Sequence, residues 1–155
     1  MIKKLLEQVT NAVATTSPGA TDSAERQHAL NLATAVLMVE VAKADHSFDE
    51  SEFDTLLRLL ERHLGLEPEE ANELANKAGE EADDAVDVHH FTKQLHEHMT
   101  EDEKCEVVSM LWRVAYADGT LHSFEDALVL KISDLLYVSR GRVMRLKHDA
   151  EVGAR

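Results

Sequence analysis

The sequence predicts an all-α protein, a bundle of about seven helices. Two prolines, six glycines and 5% aromatic residues in 155 leave little material for turns and strands. Apolar residues recur at helical spacing along most of the chain, and no run alternates with strand period over a useful length. The chain also repeats itself. Ala42-Lys43-Ala44-Asp45 and Ala115-Tyr116-Ala117-Asp118 share Ala-x-Ala-Asp, an apolar residue three positions later (Phe48, Leu121) and a glutamate seven positions after the Asp (Glu52, Glu125). The copies lie 73 residues apart, from 45 to 118. Leu37 and Met38 match Met110 and Leu111 upstream, and Leu56, Leu57 and Leu59 match Val129, Leu130 and Ile132 downstream. Repetition of this kind reports architecture, here an internal pseudo-two-fold repeat of helix, acidic loop and helix.

The elements follow in order. Ile2, Leu5, Leu6, Val9 and Val13 mark a short amphipathic N-terminal helix, and Thr15-Thr16-Ser17-Pro18-Gly19 reads as a loop. Residues 1–20 are thus an N-terminal helix and linker, and 21–155 a single helical domain. Thr21 or Asp22 can cap a helix over 22–44. Leu30, Ala33, Leu37, Val41 and Ala44 line one side of it, and Leu32, Val36 and Val39 add apolar groups elsewhere, the mark of a central helix. Phe53, Leu56, Leu57, Leu60 and Leu64 define the next helix, closed near Gly65.

Pro68 suits the first turn of a helix carrying Ala71, Leu74, Ala75 and Ala78 over 69–79. Val88, Phe91, Leu95 and Met99 give a fifth helix. Thr100 and Glu103 form a capping-box pair that opens a sixth. Val107, Val108, Met110, Leu111, Val114 and Ala115 make that helix the second central one. Ser123 can cap a seventh helix bearing Leu128, Leu130, Ile132, Leu135 and Leu136. Ser139 can cap a last amphipathic piece with Val143 and Leu146.

Bulk composition excludes several functions. A net charge of −14 argues against nonspecific binding to nucleic acid or anionic lipid and favours attraction of cations. Cys105 is the only cysteine, so there is no intrachain disulfide and no cysteine-based zinc site. The apolar run at 35–39 is far too short to span a membrane. These features predict a protein of the reducing cytoplasm with no membrane insertion.

The acidic joints carry the chemistry worth testing. Asp45 and Asp118 end helices, where a carboxylate faces the negative end of the dipole at a cost of roughly 0.3–1 kcal/mol. One compensation is local: the Asp oxygens accept N–H groups of their own turn, with Gly119 supplying the unusual dihedral. Glu52 and Glu125 would then only favour the starts of their helices. The other is a hard cation, calcium or magnesium, held by Asp45, Asp49 and Glu52 in the first loop and by Asp118 and Glu125 in the second, with free loop carbonyls. Glu50 and Asp126 add further carboxylates. An EF-hand is excluded: counted from Asp45, position 6 is Glu50 and position 12 is Leu56, and counted from Asp118, position 12 is Val129.

Other constellations carry less. His89 and His96 share a helix face within a cluster with His90 and His98. A wet polar face explains them better than a zinc or nickel site does. Glu25-x-x-His28 is half of a carboxylate di-iron signature, and the second half is missing. There is no His-Glu-x-x-His motif, phosphate-binding glycine loop or other catalytic motif, so no enzyme activity is expected. Cys105 reads as a small buried residue and Trp112 with Tyr116 as core packing. Arg140, Arg142, Arg145, Lys147 and Arg155 read as a basic helix packed on an acidic body, which supplies abundant negative charge, in preference to a docking segment for an acidic partner.

Ala117-Asp118-Gly119-Thr120-Leu121 with Glu125, set between two apolar helices, resembles the joint of the tellurite-resistance protein B (TerB-like) family, and Ala44-Asp45…Glu52 resembles it again. The likeness covers residues 25–150, with His46 where glycine is usual. It also extends to the N-terminal domain of membrane-anchored DnaJ-like co-chaperones, although this chain has no His-Pro-Asp motif. The resemblance implies an all-helical, noncatalytic module of stress-response or metal-resistance type that binds divalent cations. Its alternative is a protein-interaction scaffold with purely structural joints. A protein partner is expected; the sequence does not identify it or fix an oligomeric state.

Overall fold

A computed structural model describes residues 18–44, 50–85 and 87–154. Among them are seven helices and no strands: α1 (Pro18–Lys43), α2 (Glu50–Leu64), α3 (Pro68–Asp84), α4 (His89–His98), α5 (Glu101–Ala115), α6 (Ser123–Leu135) and α7 (Arg140–Gly153). The amphipathic segment expected over 1–14 lies outside the described residues.

Helices α1 and α5 are central, as their all-round apolar character demands. Residues 32–39 of α1 are buried without interruption. In α5, Val108, Leu111, Trp112 and Val114 are fully buried. The two helices pack on each other. Helix α3 folds back along α1, and α7 along α5; α2 and α6 complete the two sides, and α4 bridges α1 and α6. Buried hydroxyls are satisfied within their own helices: Thr34 Oγ1 donates to the Leu30 carbonyl at 2.9 Å and Ser133 Oγ to the Val129 carbonyl at 2.8 Å.

The helix boundaries follow local chemistry. Thr100 Oγ1 accepts the Glu103 N–H at 3.2 Å, and Glu103 Oε1 accepts the Thr100 N–H at 2.9 Å, a complete capping box. Ser139 Oγ accepts the Arg142 N–H at 3.4 Å. Gly65, at φ +65°, follows the end of α2.

Three boundaries differ from expectation. Helix α1 starts at Pro18, so Thr21 and Asp22 lie within it rather than capping it. Proline needs no N–H partner in a first turn, so it opens the helix instead of breaking it. Helix α3 continues through Gly79 to Asp84, because Ala78 and Ala82 bury their methyls on either side of the glycine. The cap residue of α6 is His122, with no side-chain cap bond, and Ser123 is the first helical residue.

Helix α6 ends with the Val138 N–H bonded to the Ser133 carbonyl at 3.1 Å and the Tyr137 N–H bonded to Asp134 at 3.0 Å. This closure needs a left-handed residue, and Tyr137 supplies it at φ 61°.

Candidate functional site

Both joints place a glutamate at the same point of a helix. Glu52 is the third residue of α2 and Glu125 the third of α6, each in the first turn, where the dipole favours negative charge. Their burial is the new fact. Glu52 is 2% exposed and Glu125 1%. Glutamate is among the residues least often fully buried, because its ion loses hydration that only a partner can replace. The two burials fall at positions related by the sequence repeat.

Asp118 has a different setting. It is solvent-exposed, in the turn after α5. Its Oδ1 accepts the Thr120 N–H at 3.0 Å, an Asx turn, and its Oδ2 lies 3.3 Å from His122 Nε2. Gly119 sits at φ +85° and its N–H bonds to the Tyr116 carbonyl at 2.8 Å. The local explanation of this aspartate is therefore realised. Asp126, the extra carboxylate of the second loop, accepts from Lys147 Nζ at 2.8 Å and ties α7 to the start of α6. The same ammonium lies 5.3 Å from the centre of the Trp112 ring.

Asp45 and Asp49 lie outside the described residues. Of the five expected ligands, the structure thus places two glutamates in helical first turns and one aspartate in a turn. Among the described residues no group of three or more His, Cys, Asp or Glu side chains is arranged to hold a metal ion.

Among the described residues the histidines do not converge. His89, His90 and His98 are exposed, while His96 Nδ1 lies 2.6 Å from Lys104 Nζ and its ring packs 4.6 Å from Tyr137. His28 instead lines a cavity of about 290 Å³ with Glu70, Glu73 and Lys77. Burial, then the nearby Lys77, lowers its pKa, against a smaller opposing pull from Glu73. Cys105 is half-buried, its Sγ 3.8 Å from Arg142 Nη1.

The tail helix is docked, as its charge predicted. Arg140 reaches Asp134 at 3.0 Å and Arg142 reaches Glu101 at 3.8 Å. No helix among the described residues is long and apolar enough to cross a membrane. Arg58, Arg62 and Arg113 carried no functional reading in the sequence, yet packing brings them to one cleft. Their only local signal is the helical spacing of Arg58 and Arg62.

The family model described as Tellurite resistance protein TerB matches residues 31–148, well over half of the chain. No curated protein and no solved structure matches.

Proposed function

The chain belongs to the TerB family, and from that membership we infer a noncatalytic module that binds divalent cations at its two acidic joints. Calcium or magnesium is the ion class, since the donors are carboxylates and carbonyls. Asp45, Asp49 and Glu52 hold the first ion, and Asp118 and Glu125 the second, on halves related by a pseudo-two-fold axis. The observation that carries this reading is the paired burial of Glu52 and Glu125 beside the acidic loops. A cation there offsets the desolvation of a buried carboxylate more fully than a helix dipole does.

The second reading is an interaction scaffold with structural joints, and one observation favours it. Both Asp118 oxygens are engaged within their own turn, by Thr120 and His122. A first joint that binds more strongly than the second reconciles the two observations.

Calorimetric titration with calcium, magnesium, manganese and zinc, paired with thermal melts, tests the inference. Saturable heat and a raised melting temperature with calcium or magnesium support it. No heat and no change in melting at millimolar ion would leave the scaffold reading in its place.

A further inference from the structure

The strongest feature outside the joints is a cleft of about 370 Å³ between α2, the end of α5 and the last turn of α7. Thr55, Arg58, Leu59 and Arg62 present one face of α2 to it, at helical spacing. Arg113 and Tyr116 come from α5 and the turn after it. Ala150, Gly153 and Ala154, also at helical spacing, form the third wall, and their small side chains leave the space open. The volume is that of a small-molecule site.

The charge of the cleft runs against the rest of the molecule. The protein carries a net charge of −14, yet among the described residues three arginines and no carboxylate line this space. Elsewhere among the described residues five cations find acids, Lys43 with Asp83, Lys77 with Glu73, Arg140 with Asp134, Arg142 with Glu101 and Lys147 with Asp126, and the unpaired ones do not share a cleft with one another. Among the described residues none of the three cleft arginines is in an ion pair. Arg58 makes one long hydrogen bond, 3.5 Å to Thr55 Oγ1. Arg113 is half-buried, and its Nε is shut away from solvent with no hydrogen-bond partner among the described residues. With 30 acidic residues against 16 basic ones, the lack of a carboxylate here is not for want of supply.

We propose that this cleft binds a small oxyanion of the phosphate class, free or as the ester group of a small molecule, through Arg58, Arg62 and Arg113. Guanidinium is the group best matched to such an anion, because its planar donors take two oxygens at once and keep their charge at every physiological pH. Three of them, from two elements, line the same cleft. Tyr116 adds a phenol that holds its proton: burial, then Glu151, raises its pKa, so it remains a donor. Glu151 belongs to the neighbouring cleft, of about 380 Å³, which shares Tyr116 and Ala154.

Sodium phosphate is titrated into the full chain by calorimetry in the presence of a chelator, at about pH 8 where phosphate is a dianion. Sodium chloride at matched ionic strength controls for general screening of an acidic protein. Glycerol phosphate in a second arm distinguishes an ester from the free ion. The expected result is one saturable site per chain, weakened about tenfold in Arg62→Gln, as loss of a charge-assisted bond implies. Arg62 is exposed, so this variant keeps its fold; Arg113→Gln, checked by circular dichroism, should weaken binding at least as much. Absence of saturable binding for both probes overturns the proposal, and so does equal affinity in the wild type and the Arg58→Gln/Arg62→Gln double variant.

Discussion

Asp118 offers the sharpest separation of charge from hydrogen bonding. Asparagine there keeps an oxygen for the Thr120 N–H, now 3.0 Å from Oδ1, and removes only the charge. Two small effects then oppose each other. The half-exposed pair with His122 at 3.3 Å is lost, worth about 0–1 kcal/mol. Relief from the negative end of α5 returns roughly 0.3–1 kcal/mol. Asp118→Asn should therefore lie within about 0.5 kcal/mol of the wild type in chelator.

Alanine removes the acceptor as well and leaves the Thr120 N–H to water, costing about 1 kcal/mol or ~2–4 °C in a chain of this size. Urea unfolding and thermal melts, first in chelator and then in calcium, give both numbers. At calcium ten times its dissociation constant the wild type should gain about 1.4 kcal/mol, and Asp118→Asn less. If Asp118→Asn and Asp118→Ala were equally destabilised in chelator, the Asx turn would not be what holds this joint. If both gained from calcium as the wild type does, Asp118 would not be a ligand.

Three further outcomes are expected. Thr100→Ala should cost about 1 kcal/mol in urea unfolding by opening the capping box of α5, while Thr100→Ser should cost little; equal loss would mean that the methyl, not the hydroxyl, matters. Tyr137→Gly should stabilise by about 1 kcal/mol, because glycine takes a φ of 61° without strain; a lower melting temperature would show that the ring contact with His96 outweighs it. The His28 pKa lies below its ordinary 6.5 in the folded protein, so the unfolded chain takes the proton first. Stability is then full above about 6.5 and falls as pH drops through that value towards the folded pKa. His28→Gln should flatten this part of the profile, and an unchanged profile would refute the assignment.

Most of the fold was legible because it is set by local rules. The all-round apolar stretches located α1 and α5, and Thr100 with Glu103, Ser139 and Gly65 marked boundaries through bonds made within a few residues. Pro18 and Gly79 misled for a shared reason. Both are breakers on average, but proline in a first turn costs nothing, and glycine between Ala78 and Ala82 is carried by packing that only the assembled bundle shows.

The candidate site divides along the same line. The repeat located Glu52 and Glu125, yet spacing alone did not reveal that both would be buried. The turn chemistry of Asp118 was legible because its partners, Thr120 and His122, are two and four residues away. The arginine cleft was not, since Arg113 meets Arg58 and Arg62 only through the packing of α5 against α2.

The two-joint reading is tested most directly by counting bound calcium in Glu52→Gln and Glu125→Gln. Glutamine keeps the shape of each buried side chain and removes its charge. Equilibrium dialysis with radioactive calcium should find two ions on the wild-type chain, with each single variant losing one and the double variant losing both. A wild-type chain that retains no calcium, or variants that retain as much as the wild type, would contradict it.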